Sequence, residues 1–196
     1  MIEPRDHRLV AIGASWGGLD ALRTILQALP AGFAAAVVVA QHRSPESHPT
    51  ALRDLLGAVA PLTVLEAGDK DELRPGTVYI AAPDYHLLIE GSTVALSTDE
   101  PVLHARPSID VLFESAAESY REGCVGVILT GANEDGARGL GRIVELGGTA
   151  LVEDPATAKR DEMPRAAIAA VPGARVAPVG ELAAILVELC GQKVTA

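Results

Sequence analysis

The apolar positions of this 196-residue chain fall into short β-branched runs that alternate with stretches of helical periodicity. The run AAVVVA at 35–40 is apolar throughout, which is typical of a strand buried on both faces of a sheet. Residues 19–29 repeat leucine and isoleucine at helical spacing and predict an amphipathic helix. By the same criteria, further strands are predicted at 8–12, 62–66, 77–81, 125–129 and 149–152, and further helices at 50–56, 108–120, 136–145, 164–170 and 181–189.

A β-hairpin is predicted where the strand patterns 86–90 and 93–96 flank the turn residues Gly91 and Ser92. Elsewhere strands and helices alternate, and such alternation favours a mostly parallel sheet with helices on both faces. We therefore predict the α/β class, with a doubly wound, three-layer αβα architecture plus the hairpin. No internal repeat, low-complexity tract or linker divides the sequence, so a single domain is expected over 1–196.

The composition narrows the classes of function. Acidic residues outnumber basic ones by 26 to 16, for a net charge of −10, which argues against binding to nucleic-acid phosphates. The longest apolar runs, such as 33–40, are too short to cross a bilayer, and the charged first residues do not resemble a leader. We therefore expect no membrane insertion and a cytoplasmic location. Cys124 and Cys190 are predicted to be buried free thiols, and without a Cys/His cluster neither a metal nor a cofactor is expected.

The first predicted strand leads into GASWGG (13–18), after which a helix starts at once. Ligand sites gather at the carboxyl ends of parallel strands, and G-x-S-x-G between strand and helix is typical of a turn that presents a nucleophilic serine. Glycines tolerate the tight backbone, and the helix N-terminus offers amides to a developing oxyanion. A phosphate-binding turn is one alternative, but the glycine spacing is not G-x-G-x-x-G. A plain tight turn without a nucleophile is the other. Ser15 is therefore the candidate nucleophile.

A serine hydroxyl needs a base to take its proton. Of the five histidines, His42 directly follows the predicted strand at 35–40, at the same sheet edge as Ser15. His86, at the start of a hairpin strand, is a distant second choice. The remaining histidines occupy terminal, loop or irregular positions: His7, His48 and His104.

A carboxylate is needed to orient the imidazole. The strand at 125–129 ends in TGANEDGA (130–137), which offers Glu134 and Asp135. Asp135 is preferred because its loop is richest in glycine and short side chains, with a helix N-cap as the alternative role. Asp84 and Asp154 also follow strands, and position alone does not dismiss them. The order Ser, His, Asp differs from that of α/β-hydrolases, but the same geometry recurs on unrelated folds.

Several segments together carry a family resemblance. They are IGASWGG (12–18), QH (41–42), YIAAPDYH (79–86), RPSIDVLF (106–113), GVILTG (126–131), EDGA (134–137) and MPRAAI (163–168). In order and spacing these segments resemble the catalytic domain of CheB, the chemotaxis receptor methylesterase family. The resemblance runs from Val10 to about Val187, which is nearly the whole chain.

The resemblance implies hydrolysis of glutamate γ-methyl esters on receptor helices, with release of methanol and some deamidation of glutamine side chains. It implies Ser15 as nucleophile, His42 as base and Asp135 as the orienting acid. The backbone amide of Ala132, where a methionine is usual, would help to hold the oxyanion. Trp16 and Gly17, in the turn after the serine, are the further oxyanion and substrate-binding positions. The implied partner is the cytoplasmic helical region of methyl-accepting receptors.

The sequence departs from the family pattern at three points. Trp16 stands where a small polar residue is usual, and Arg43 stands where an apolar residue is usual. The N-terminal phosphorylatable receiver domain of the family is not expected in this chain.

Trp16 also motivates a second hypothesis, a non-catalytic module of the same fold that binds a receptor or signalling partner. A third hypothesis is an esterase whose substrate is unrelated to chemotaxis.

Overall fold

The computed structural model describes residues 7–44, 46–48 and 50–191. The strands within these ranges are β1 (Leu9–Ala14), β2 (Ala36–Gln41), β3 (Thr63–Glu66), β4 (Thr77–Ile80), β5 (His86–Glu90), β6 (Thr93–Ser97), β7 (Cys124–Ile128), β8 (Thr149–Glu153) and β9 (Arg175–Ala177). The helices are α1 (Gly18–Ala28), α2 (Ala51–Gly57), α3 (Ile109–Tyr120), α4 (Ala137–Glu145), α5 (Glu162–Ala170) and α6 (Val179–Cys190). The ends of the predicted domain, 1–6 and 192–196, lie outside the described residues.

Seven of the strands form one parallel sheet in the order β3-β4-β2-β1-β7-β8-β9. The other two, β5 and β6, pair antiparallel as a separate hairpin. Strands β2, β3 and β4 lie on one side of β1, and the later strands β7, β8 and β9 lie on its other side. In sheets of this kind a crevice forms where the winding reverses, beyond the carboxyl ends of the strands. The predicted doubly wound α/β fold with an added hairpin is confirmed.

Two apolar cores lie on opposite faces of the sheet, because successive side chains of a strand point to opposite faces. Leu9 and Ala11 of β1 belong to the core beneath α3, α4, α5 and the hairpin. Val10 and Ile12 belong to the core beneath α1, α2 and α6. The helices thus form the two outer layers of a three-layer structure.

Two glycines allow α3 to begin close to the sheet edge. A Cβ at Gly13 would lie 2.3 Å from Ile109 Cγ2, and a Cβ at Gly136 would lie 2.5 Å from the same atom. Ser108 is the N-cap of α3, and its hydroxyl accepts a hydrogen bond from the Val111 amide at 3.4 Å. The N-terminus of α3 is therefore held where β1 and β7 end.

The structure differs from the predicted elements in a few places. Strand β9 was not predicted, because three residues with two exposed side chains show no apolar pattern. Helix α6 begins at Val179 rather than at 181. Cys124 is buried as predicted, whereas Cys190 is only partly buried. None of the helices described is long and apolar enough to cross a membrane.

Candidate active site

Ser15 is the first residue after β1, in a turn whose backbone is hydrogen-bonded on both sides. Its amide donates to the Thr130 carbonyl at 3.0 Å, and its carbonyl accepts from the Gly18 amide at 2.9 Å. Gly17 has a φ of 85°, a left-handed conformation that favours glycine, and it is the N-cap of α1. A side chain at that position would also meet Lys159, since a Cβ would lie 2.8 Å from Lys159 Cβ. The turn therefore presents Ser15 at the N-terminus of α1.

The ladder between β1 and β2 places His42 beside Ser15. Ala14 and Gln41 are register partners, and the His42 amide donates to the Ala14 carbonyl at 2.9 Å. Ser15 and His42 are thus the next residues on neighbouring strands, which lie about 4.8 Å apart in a sheet. The His42 side chain is 13% exposed and lines a cleft of about 360 Å³. The fold thus brings the serine and the histidine to the same sheet edge.

Asp135 is fully buried in the loop between β7 and α4, and its carboxylate accepts four hydrogen bonds. Oδ2 accepts from His42 Nε2 at 2.8 Å and from the Ile109 amide at 2.7 Å. Oδ1 accepts from the Ser108 hydroxyl at 2.9 Å and from the Asp110 amide at 3.0 Å. Three of these donors belong to the N-terminus of α3, where free amides and the helix dipole stabilise an anion. Asp135 thus caps α3 rather than α4, the helix that follows it.

These hydrogen bonds decide the ionisation of the pair. Burial by itself would raise the pKa of Asp135, but the hydrogen bond from His42 and those from the Asp110 and Ile109 amides outweigh it, so the pKa lies below 3.8. An ionised carboxylate only accepts, so the proton between the two side chains belongs to His42 Nε2. Nδ1 is then the nitrogen with a free lone pair. Chemically, the arrangement leaves His42 with a nitrogen that can accept a proton, at the sheet edge where Ser15 lies.

Asn133 contacts the other ring nitrogen of His42. Its Oδ1 accepts from the Asp135 amide at 3.3 Å, which turns Nδ2 toward His42 Nδ1 at 3.5 Å. A contact of this length is weak, so Nδ1 stays available to a closer partner. Asn133 was not predicted as a site residue. The available signal was its place two residues before an aspartate, where asparagine often forms a turn with its own backbone.

Ala132, Trp16 and Gly17 lie in two neighbouring turns. The Thr130 hydroxyl donates to the Trp16 carbonyl at 2.9 Å and so joins these turns. Within the ranges that the structure describes, neither the Ala132 amide nor the Trp16 amide donates to another group. The Trp16 side chain is 67% exposed, and the Arg160 guanidinium lies 6.0 Å from its ring centroid. These two backbone N–H groups, in the turns that follow β7 and β1, are therefore available to an acceptor.

A buried carboxylate supports the Thr130 turn from behind. Glu153, the last residue of β8, accepts from the Thr130 amide at 2.8 Å. Burial raises the pKa of Glu153, and the hydrogen bond from Thr130 offsets only part of this effect. Glu153 was not predicted as a site residue, because a glutamate at a strand end is usually exposed.

The other carboxylates that the sequence left open have different partners. Asp84 Oδ1 accepts from Arg106 at 2.9 and 2.6 Å. Asp154 Oδ1 accepts from the Ala156 amide at 2.8 Å within its own turn. Glu134 is exposed. Of these candidates, Asp135 is the one whose carboxylate is hydrogen-bonded to His42.

His86, the second candidate for the base, is hydrogen-bonded to backbone groups on both ring nitrogens. His86 is buried, its Nδ1 accepts from the Ser108 amide at 3.1 Å, and its Nε2 donates to the Glu100 carbonyl at 3.2 Å. Of the other histidines, His7 contacts Tyr120, His48 contacts Thr50, and His104 is exposed in a turn. Across the described part of the chain, no three His, Cys, Asp or Glu side chains cluster so as to hold a metal ion.

Comparison with known proteins gives consistent results. A family model described as CheB methylesterase matches residues 10–186. A protein-glutamate methylesterase/protein-glutamine glutaminase of Geobacillus kaustophilus is 42% identical over 192 residues, covering 95% of this chain and 55% of that protein. A Leptospira interrogans protein to which the same name is provisionally given is 44% identical over 185 residues, covering 94% of this chain and 95% of that protein.

A solved structure agrees with these relatives. The crystal structure of the Thermotoga maritima CheB methylesterase catalytic domain matches with a TM-score of 0.89 and 35% sequence identity. The match covers 94% of this chain and all of that domain. The sheet with its hairpin, the site at the sheet edge and the extent of these matches lead to one assignment: this chain belongs to the CheB methylesterase family.

Proposed function

We propose that this chain is a serine hydrolase that removes methyl groups from glutamate γ-methyl esters of chemotaxis receptors and also converts glutamine side chains to glutamate. Family membership and the names of its relatives support this activity. One structural observation carries the assignment of residues. The buried Asp135 carboxylate is hydrogen-bonded to His42, and the backbone of His42 lies in register beside Ser15.

In the proposed first step, His42 Nδ1 takes the proton of the Ser15 hydroxyl while Oγ attacks the ester carbonyl. The backbone amides of Ala132 and Trp16 meet the negative charge that develops on the carbonyl oxygen. Asp135 stays ionised and stabilises the imidazolium through the Nε2 proton. Gly17 acts by allowing the tight turn that holds the Trp16 amide next to the nucleophile.

Collapse of the tetrahedral intermediate then breaks the bond to the methoxy group, and His42 returns its proton so that methanol leaves. Water attacks the acyl-enzyme with the same nitrogen as base, which releases the glutamate side chain and restores Ser15. In sum, an ester and a water molecule become a carboxylic acid and methanol. A glutamine side chain would follow the same path with ammonia as the leaving group.

The proposed partner is the cytoplasmic helical region of methyl-accepting receptors, and the proposed location is the cytoplasm. Two exposed apolar side chains near the cleft support the binding of a helix surface. Trp16 follows Ser15 directly and is 67% exposed, and Leu103 lines the cleft and is 47% exposed. We further propose that residues 1–196 act as a single catalytic domain of this type.

Methanol release from a methylated receptor fragment tests the proposal, with mass spectrometry to follow the loss of methyl groups from glutamate. We expect Ser15→Ala to lose at least about a thousandfold in turnover while it remains folded. Ser92→Ala, which removes an exposed hairpin-turn hydroxyl, is the matched control and should retain wild-type turnover. Wild-type turnover in Ser15→Ala would refute the assignment of the nucleophile.

Labelling with a fluorophosphonate separates the competing hypotheses. A covalent adduct on Ser15 supports an activated hydroxyl, whereas folded wild-type protein without an adduct would favour the non-catalytic module. An adduct without release of methanol from any methylated receptor would favour an esterase with another substrate.

A further inference from the structure

A buried glutamine joins the backbone of Ser15 to that of His42. Gln41 is the last residue of β2 and is only 9% exposed. Its Nε2 donates to the Ser15 carbonyl at 2.8 Å and to the His42 carbonyl at 2.9 Å. Both partners are carbonyl oxygens, which only accept, so the amide nitrogen must be the atom that faces them.

The oxygen of this side-chain amide is in an unfavourable environment. Gln41 Oε1 is buried and has no hydrogen-bond partner among the residues that the structure describes, a state that costs free energy. Gly18 makes room for the oxygen, because a Cβ at that position would lie 2.1 Å from Oε1. An apolar side chain of the same length would fill this space without the penalty. What the amide offers in return is its two N–H bonds to the carbonyls.

These two bonds lie at the point where the strand ladder ends. The ladder continues as far as the His42 amide, which donates to the Ala14 carbonyl at 2.9 Å. Beyond that bond the chains separate, since Ser15 enters the turn to α1 and His42 enters the loop to α2. The side-chain amide of Gln41 therefore replaces the ladder for one further residue on each strand.

We infer that Gln41 is a positioning residue for the reaction. By tying the Ser15 and His42 carbonyls to one rigid amide, it orients both peptide planes and so sets the distance from Ser15 Oγ to the imidazole. Gln41 touches neither the substrate nor the reacting atoms. The inference rests on the proposed function, because a distance between serine and histidine matters only if the two react together.

Gln41→Met tests the inference, because methionine has a similar length and lacks both donors. We expect kcat for methanol release to fall about 100-fold, the effect of a misplacement of roughly 1 Å. KM should stay within about twofold, because uniform substrate binding is unaffected. The rate constant for fluorophosphonate labelling of Ser15 should fall by the same factor as kcat, since labelling uses the serine and histidine without the receptor.

Two further variants separate positioning from stability. Gln41→Asn keeps the amide but is one methylene shorter, so it reaches one carbonyl at most and should give an intermediate kcat. Val39→Ala, at a fully buried position of the same strand, is the control for lost stability. Its kcat and labelling rate per folded molecule should equal those of the wild type. A purely structural role for Gln41 predicts that Gln41→Met behaves in the same way as Val39→Ala.

Wild-type kcat and labelling rate per folded molecule in Gln41→Met would overturn the inference. If the Gln41 variants do not fold, hydrogen exchange in the wild-type protein decides. The Nε2 protons should be protected, and exchange as fast as that of an exposed glutamine would overturn the inference. If the wild-type protein releases no methanol, the proposed function fails, while the labelling rate and the exchange measurement still test Gln41.

Discussion

Replacement of Asp135 by asparagine tests how the site is held together. The substitution keeps the shape of the side chain and turns one oxygen into a donor, in a place where the carboxylate accepts four hydrogen bonds. If the new nitrogen takes the place of Oδ2, His42 must reverse its tautomer and the Ile109 amide loses its acceptor. If it takes the place of Oδ1, the Ser108 hydroxyl must turn and the Asp110 amide loses its acceptor.

The expected loss of stability follows from the hydrogen bonds that the substitution removes. In either orientation one buried backbone amide is left unpaired, at about 1–3 kcal/mol. Loss of the negative charge at the N-terminus of α3 adds about 0.3–1 kcal/mol. We therefore expect Asp135→Asn to lower the free energy of unfolding by about 1–4 kcal/mol. If the new nitrogen takes the place of Oδ2, we expect kcat to fall about 10⁴-fold, because reversal of the tautomer places a proton on the nitrogen that should accept one from Ser15. If it takes the place of Oδ1, the tautomer is kept, but kcat should still fall because the imidazolium loses the negative charge that stabilises it.

The pH dependence of stability provides the assay for this reasoning. Because the folded-state pKa of Asp135 lies below 3.8, its carboxylate stabilises the fold above that pH. That contribution is lost as the pH falls through the lowered pKa. Urea unfolding should therefore show a gap between wild type and Asp135→Asn that is full at neutral pH and closes below 3.8.

Methanol release per folded molecule measures the effect on catalysis. Leu186→Ala, at a fully buried position in α6, serves as a control for stability, with an expected loss of about 2–5 kcal/mol and an unchanged kcat. Asp135→Asn with a kcat within tenfold of wild type would refute the catalytic role of the Asp135 carboxylate. If the difference in free energy of unfolding between wild type and Asp135→Asn does not change between neutral and acid pH, the Asp135 carboxylate is not stabilised in its ionised form.

Three further predictions concern other parts of the fold. Burial raises the pKa of Asp110 above 3.8, so ionisation of this carboxyl costs free energy in the folded protein. The free energy of unfolding of the wild type should therefore fall as the pH rises from 3.8 through the raised pKa, and urea unfolding of Asp110→Asn should not show this fall. Gly139→Ala should lower the free energy of unfolding by about 1–3 kcal/mol, because the new Cβ would lie 2.6 Å from Phe113 Cβ, and an unchanged urea midpoint would contradict this. Burial raises the pKa of Cys124 to about 12 and that of Cys190 to about 11, so a thiol-disulfide reagent at pH near 8 should react with Cys124 only at the rate of unfolding and with Cys190 slowly.

Much of the fold could be predicted from local patterns. The uninterrupted apolar run at 35–40 predicted β2, because a strand covered by helices on both faces has no polar side. Strand β9 could not be predicted, because an edge strand of three residues with Arg175 and Val176 exposed has no such pattern. The residues that follow strands were correctly expected at one sheet edge, because all parallel strands end on the same side.

The sequence by itself determined the alternation of strands and helices, the glycine turn that presents Ser15, and the place of His42 after the next strand. These features depend on residues that are close along the chain. The environment of Asp135 was decided by the tertiary structure alone, because its carboxylate binds the first amides of α3, more than twenty residues earlier. The link through Gln41 was decided in the same way, since only the register of β1 and β2 brings one amide within reach of both carbonyls.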